Sequence, residues 1–244
     1  MLPVKDIPLQ ALIPTNPSLT PLSAFGGSLA NRVYLSLKQG IMSLVFQPGE
    51  TLRKSEICAE LGVSRSPVAE AVARLAAEGL VDVVPQAGTF VARFSMAEIR
   101  EGAFLREALE LAAVEVVARD ITEPQLLLLR RNLRVQEALI SDGDFVGFYH
   151  LDSEMHQLIL SFTGFRRLAS LADTAWVHVN RARQLILPAP GRVEATLIEH
   201  FAILTAIEAR DPAAARTATA THLRQLITFL EPLATDRPDL FSPG

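Results

Sequence analysis

Apolar residues recur every fourth position at Leu29, Val33, Leu37 and Ile41, a spacing that predicts a helix over 25–44 with one buried face. Phe46-Gln47-Pro48-Gly49-Glu50 ends it, because Pro and Gly together mark a turn. A shorter helix is expected over 54–61, with Ser55 near its start. Gly62 then suits a sharp helix exit, since it takes positive φ without strain. Ser64 or Ser66 can cap the next helix, and Pro67 suits its first turn, where a missing N–H costs nothing. Val68, Val72 and Leu75 give that helix an apolar stripe, and Gly79 stops it. The period changes at Leu80-Val81-Asp82-Val83-Val84 and Thr89-Phe90-Val91-Ala92, two β-forming runs around the turn Pro85-Gln86-Ala87-Gly88.

Beyond residue 95 the helical period returns and stays, over 96–119, 123–141, 144–162, 166–186, 192–209 and 212–230. The breaks are Ile121-Thr122-Glu123-Pro124, Asp142-Gly143-Asp144, Thr163-Gly164, Pro188-Ala189-Pro190-Gly191 and Asp211-Pro212. Connections this short allow little except antiparallel neighbours. The expected fold is therefore mainly α: an N-terminal winged helix-turn-helix of three helices plus a β-hairpin, then an all-helical antiparallel bundle of about six helices. Residues 1–24, with prolines at 3, 8, 14, 17 and 21, read as a flexible arm. The DNA-binding domain is expected over 25–94, the bundle over 95–232 and a loose tail over 233–244.

Composition adds a constraint. The net charge of −4 is unusual for a nucleic-acid binder, but it is unevenly spread. Residues 25–94 hold seven Lys and Arg against six Asp and Glu, which is +1, whereas 95–244 hold fifteen against twenty, which is −5. Attraction to phosphate must then come from local placement of Arg53, Lys54, Arg65 and Arg74, and from two copies acting together. The single cysteine, Cys58, forms no internal disulfide and is expected to be a small buried apolar group. Neither a membrane span nor the apolar core of a signal peptide is evident, so the expected location is the cytoplasm.

The histidines carry the candidate chemistry. Asp152 and His156 stand at i and i+4 and share a helix face. His200 lies eleven residues before Asp211 and His222 eleven after it. Two antiparallel helices would put both imidazoles roughly 16 Å from the turn, level with each other, at ~1.5 Å rise per residue. Three histidines and a carboxylate can hold a divalent transition ion such as Zn²⁺, Ni²⁺ or Mn²⁺. The alternative for Asp152 and His156 is a simple hydrogen bond along one helix.

Pro48-Gly49-(x2)-Leu52, Leu61-Gly62-Val63-Ser64-Arg65-Ser66-Pro67-Val68, Arg74-Leu75, Glu78-Gly79-Leu80-Val81 and Gly88-(x)-Phe90-Val91 occur in an order and spacing that resembles GntR-family transcription regulators. The resemblance implies a homodimer that sets two recognition helices in successive major grooves of operator double-stranded DNA, with the wing near the minor groove. The implied DNA-binding residues are Arg53, Lys54, Ser55, Ser64, Arg65, Ser66, Pro67, Arg74 and Gly88. One departure stands out: after Pro67-Val68 the family commonly has arginine, and this chain has Ala69.

Arg106-(x2)-Leu109-Glu110, Asp152-(x3)-His156, Glu199-His200-(x2)-Ile203-(x2)-Ala206-Ile207-(x3)-Asp211 and His222-Leu223 resemble the FCD-type ligand-sensing domain of the FadR-like subfamily. That resemblance implies a metal on Asp152, His156, His200 and His222, zinc before nickel or manganese, with a small carboxylate effector beside it. Arg106 is expected to clamp the carboxylate as a planar double donor, its alternative being a salt bridge to Glu110. Asn180 and Arg183, with His178, are expected to line the same cavity. The implied function is a ligand-responsive repressor without membrane association or enzymatic activity. The alternatives are a metal-dependent hydrolase with a DNA-tethering domain and a regulator with a purely structural metal. Asp plus three His use four coordination positions and no HExxH arrangement is present, which argues against the hydrolase.

Overall fold

The computed structural model describes residues 18–168, 171–172, 176–186, 189 and 191–243. Most of the N-terminal arm and parts of 166–176 and 187–190 therefore lie outside the described residues. The chain divides into two compact units. One holds the described residues through Ala97, together with Asn180–Leu185 and the stretch from Leu233. The other holds Glu98–Val179 and Ile186–Pro232.

In the first unit, helix α1 (Leu29–Met42) starts at Ser28, whose hydroxyl accepts from the Asn31 N–H. Its core face is Val33, Tyr34, Leu37 and Ile41; Leu29, the first residue of the expected stripe, is exposed. Helix α2 (Lys54–Leu61) ends on Gly62 at φ 64°, ψ 36°, the left-handed conformation that turns the chain into α3 (Arg65–Ala77). Val68, Ala71, Val72 and Leu75 of α3 are buried. Ser64 occupies the cap position without a side-chain hydrogen bond. Strands β1 (Val81–Val84) and β2 (Gly88–Val91) pair antiparallel, Val81 opposite Val91 and Val84 opposite Gly88. Residues 49–52 add a short third edge through Gly49 N–H to Val91 O and Leu52 N–H to Thr89 O, both 2.8 Å. Cys58 is half-buried rather than buried.

The second unit is built from α4 (Met96–Asp120), α5 (Glu123–Ser141), α6 (Phe145–Phe162), α7 (Val177–Ile186), α8 (Arg192–Glu208) and α9 (Pro212–Asp236), although α4, α7 and α9 each extend into the first. Thr122 and Gln125 form a reciprocal cap at the start of α5, and Asp144 caps α6 by accepting from the Gly147 N–H. Three ion pairs, Glu115–Arg216, Glu107–Arg224 and Arg100–Glu231, set α4 and α9 antiparallel. Arg130 pairs with Glu208 at 2.6 Å and ties α5 to α8. Among the described residues, no helix is long and apolar enough to cross a membrane.

The structure departs from expectation at the end of the chain. Helix α9 runs through Pro232 to Asp236, with Leu230 and Leu233 buried on either side; their burial outweighs the hydrogen bond that proline removes. The following segment is not loose. Phe94 N–H donates to Leu240 O and Ser242 N–H to Phe94 O, at 3.0 and 2.8 Å, and the Phe94 and Phe241 rings lie 5.7 Å apart. Leu240 and Phe241 are apolar and buried there, so the tail is held by core packing plus two strand-like bonds.

Candidate metal centre and DNA-binding face

Asp152 and His156 project from α6, His200 from α8 and His222 from α9. All four are buried, and one ligand atom from each lies within 4.8 Å of the others. The His200 and His222 rings, predicted to be level across the Asp211 turn, have centroids 4.6 Å apart. His200 Nε2 is 3.1 Å from Asp152 Oδ1, and the Nε2 atoms of His156 and His222 approach to 3.2 Å.

Behind each imidazole stands a hydrogen-bond acceptor. Glu110 Oε2 lies 2.6 Å from His156 Nδ1, Gln136 Oε1 lies 2.9 Å from His200 Nδ1, and Glu199 Oε2 lies 2.8 Å from His222 Nδ1. The Gln136 amide is oriented by its own Nε2, which donates to Asn132 Oδ1 at 2.7 Å. An ionised carboxylate only accepts, so Nδ1 carries the proton and Nε2 turns its lone pair toward the centre. Two such lone pairs facing each other at 3.2 Å repel, and a cation between donors removes that repulsion. Burial lowers the pKa of His156, as does the nearby Arg106 charge, against the opposing pull of Glu110; the neutral ring is the ligating form. Burial also pushes the Glu110 carboxyl up, but Arg106 and His156 outweigh this and hold it well below the usual carboxylate range. Three neutral imidazoles and a carboxylate fit a divalent transition ion.

Arg106 is buried and makes the salt bridge that was the alternative to an effector clamp: its Nε donates to Glu110 Oε1 at 2.6 Å. Its guanidinium also lies 5.4 Å from the Trp176 ring. His178 faces Glu98 at 3.8 Å. Asn180 and Arg183 belong to the stretch that packs within the first unit, whereas the four candidate ligands belong to the second. The sequence reading missed Glu199, Gln136 and Arg192 as supports of the centre. It also missed Arg181, a fully buried arginine whose Nη1 donates to Ala92 O at 2.7 Å. Burial pulls the Arg181 pKa down to about 10.

In the first unit, a cleft of about 430 Å³ brings together Arg53, Lys54 and Ser55 at the start of α2, Arg65 at the start of α3, and Gly88 of the wing. Ser64 at the cap of α3 and Arg65, Ser66 and Ala69 within it are exposed, while Pro67 is buried and serves packing. Arg74 differs from the rest. It donates to Asn31 Oδ1 at 3.2 Å and stacks 3.7 Å from the Tyr34 ring centroid, so it braces α3 on α1.

Residues 29–91 match the family described as bacterial regulatory proteins, gntR family, and residues 101–225 match the FCD domain. The chain belongs to the GntR family. This GntR regulator is 35% identical over 210 residues to an HTH-type transcriptional regulator in an unstable DNA locus of Streptomyces ambofaciens, covering 86% of this chain and 88% of the relative. It is 31% identical to the HTH-type transcriptional repressor RspR of Escherichia coli K12, over 86% and 92% of the two chains. Its fold is similar to that of E. coli McbR/YncC, at a TM-score of 0.72 and 23% identity, over 84% of this chain and 98% of that one. The protein is thus a GntR-family DNA-binding transcriptional regulator with an FCD ligand-binding domain. In this GntR regulator the winged helix lies within the first unit and the four candidate ligands within the FCD match.

Proposed function

We propose that this regulator is a repressor that grips operator DNA as a homodimer and loosens when a small carboxylic acid binds beside a divalent metal, zinc first, held by Asp152, His156, His200 and His222. The observation that carries this reading is the convergence of three imidazole Nε2 atoms on a buried carboxylate, with each ring backed at Nδ1 by a dedicated acceptor. Resemblance to a relative named as a repressor supports the direction of control. A bound divalent ion supplies a Lewis-acidic anchor for a carboxylate oxygen. The chain's own part is to offer the Nη groups of Arg106 to the acid, Nε being engaged by Glu110. The cleft of Arg53, Lys54, Ser55, Arg65 and Gly88, with the exposed Ser64 and Ser66, meets phosphates and base edges. A tenfold loss of operator affinity needs only ~1.4 kcal/mol of coupling between acid and DNA.

The test is fluorescence anisotropy on DNA from the regulator's own promoter region, with metal-loaded and chelated protein and a panel of small acids. At least one acid is expected to weaken binding tenfold or more in the loaded protein and to do nothing in the chelated one. Unchanged affinity across the panel, or a response that survives complete metal removal, contradicts the proposal.

A further inference from the structure

We infer that Glu110 and Glu199 are positioning residues of the candidate centre, each holding one imidazole in its Nδ1–H tautomer and each locked by a buried arginine. The inference deepens the metal reading above and rests on it for the cation alone. Both oxygens of Glu110 are engaged: Oε2 with His156 Nδ1 and Oε1 with Arg106 Nε, each at 2.6 Å. Glu199 repeats the arrangement from another helix. Arg192 grips it through Nη1 to Oε1 at 2.8 Å and Nη2 to Oε2 at 2.6 Å, while Oε2 also accepts from His222. A two-point guanidinium fork fixes the plane of a carboxylate as well as its position. Arg192 is itself buried and lies 5.4 Å from the Phe229 ring.

Two separate arginine–glutamate–histidine relays thus enter the centre, one starting on α4 and one on α8. The third ring is treated differently, since His200 has the neutral Gln136 amide behind it. A carboxylate acceptor fixes the tautomer and also raises the basicity of the ligating nitrogen. A neutral amide oxygen fixes the tautomer too but raises that basicity less. His156 and His222 are therefore the stronger donors and His200 the weaker. The buried arginines have a matching task, because an ionised carboxylate in the interior is costly without a fixed countercharge.

Glu199 is the position to test. Its side chain is 17% exposed against 1% for Glu110, so its removal is the milder of the two, although each leaves a buried arginine, Arg192 or Arg106, without its carboxylate. Full-length wild type, E199A and E199Q are compared by ¹⁵N imidazole NMR of the metal-free proteins and by zinc titration against a competing chelator, with circular dichroism to establish folding. In E199A, His222 is expected to shift toward the Nε2–H tautomer and zinc affinity to fall ~10–100-fold. E199Q keeps an acceptor oxygen and is expected to restore the tautomer and part of the affinity. A folded E199A with His222 still protonated on Nδ1 and unchanged zinc affinity overturns the inference. If wild type itself takes up no zinc, the metal reading falls. The tautomer of His222 in metal-free E199A then still decides the positioning role.

Discussion

Ala69 sits on the exposed side of α3 with Arg65, Ser66 and Ala73, the side a recognition helix offers to a major groove. A methyl group can meet a thymine methyl but cannot pair with guanine. Arg74 does not compensate, because it is committed to Asn31 and Tyr34. On that outward side, Arg65 is the arginine left to reach base edges. Ala69→Arg is therefore expected to shift preference toward guanine at one base pair per half-site, by about 1–3 kcal/mol. Selection from a library of operator variants measures this, and an unchanged preference contradicts it. The candidate ligands were legible residue by residue, because helix rise and period are fixed and the sequence converts them into positions. Their supports were not. Glu110 lies 46 residues from His156 and Gln136 lies 64 from His200, and only helix packing brings them together. A glutamate in a helix full of charge carries no mark of being buried. Arg106 shows the converse, a residue singled out as an effector clamp whose visible bond is the alternative salt bridge to Glu110.

At the scale of elements, α1 and α3 are joined by Tyr34, Lys38 and Glu78. Lys38 Nζ donates to Glu78 Oε2 at 2.7 Å, and Tyr34 Oη donates to Glu78 Oε1 at 2.5 Å. Burial raises the Glu78 carboxyl pKa, but its bonds from Lys38 and Tyr34 outweigh that and leave it below the ordinary 4.5. Burial lowers the Lys38 pKa, but Glu78 and Tyr34 outweigh that and leave it above the ordinary 10.5. The sign follows from both. The Glu78 contribution is complete above pH 4.5 and is lost as pH falls through the depressed value; the Lys38 contribution is complete below pH 10.5 and is lost as pH rises through the elevated one. Both side chains are more than a quarter exposed, so screening limits the effect to about 1 kcal/mol. Glu78→Gln is expected to lower the melting temperature near neutral pH and to converge on wild type as pH falls through the depressed Glu78 value. An equal deficit at every pH contradicts this ion-pair account. The hairpin and all three N-terminal helices were legible from periodicity and turn residues, but the docking of the C-terminal segment on Phe94 was not. Phe94 and Ser242 are 148 residues apart, and two apolar residues in a short tail give no sign of their partner.

For the whole molecule, the uneven charge now has a structural counterpart. The −5 falls on residues 95–244, which supply the bundle as well as Asn180–Leu185 and the stretch from Leu233 of the first unit, and the +1 on residues 25–94, which supply the cleft of Arg53, Lys54 and Arg65. In the proposed reading, so small a positive excess leaves operator affinity to the placement of Arg53, Lys54 and Arg65 and to two copies binding together. Under the proposal such a regulator needs little coupling energy to release DNA, which suits a response driven by the buried centre of the FCD domain. The proposed response requires that centre to be a metal site. Metal analysis of purified wild type beside the double variant His200→Ala/His222→Ala tests it. Wild type is expected to hold one equivalent of a divalent transition metal per chain, and the folded variant none; full retention of the metal by the variant contradicts the account.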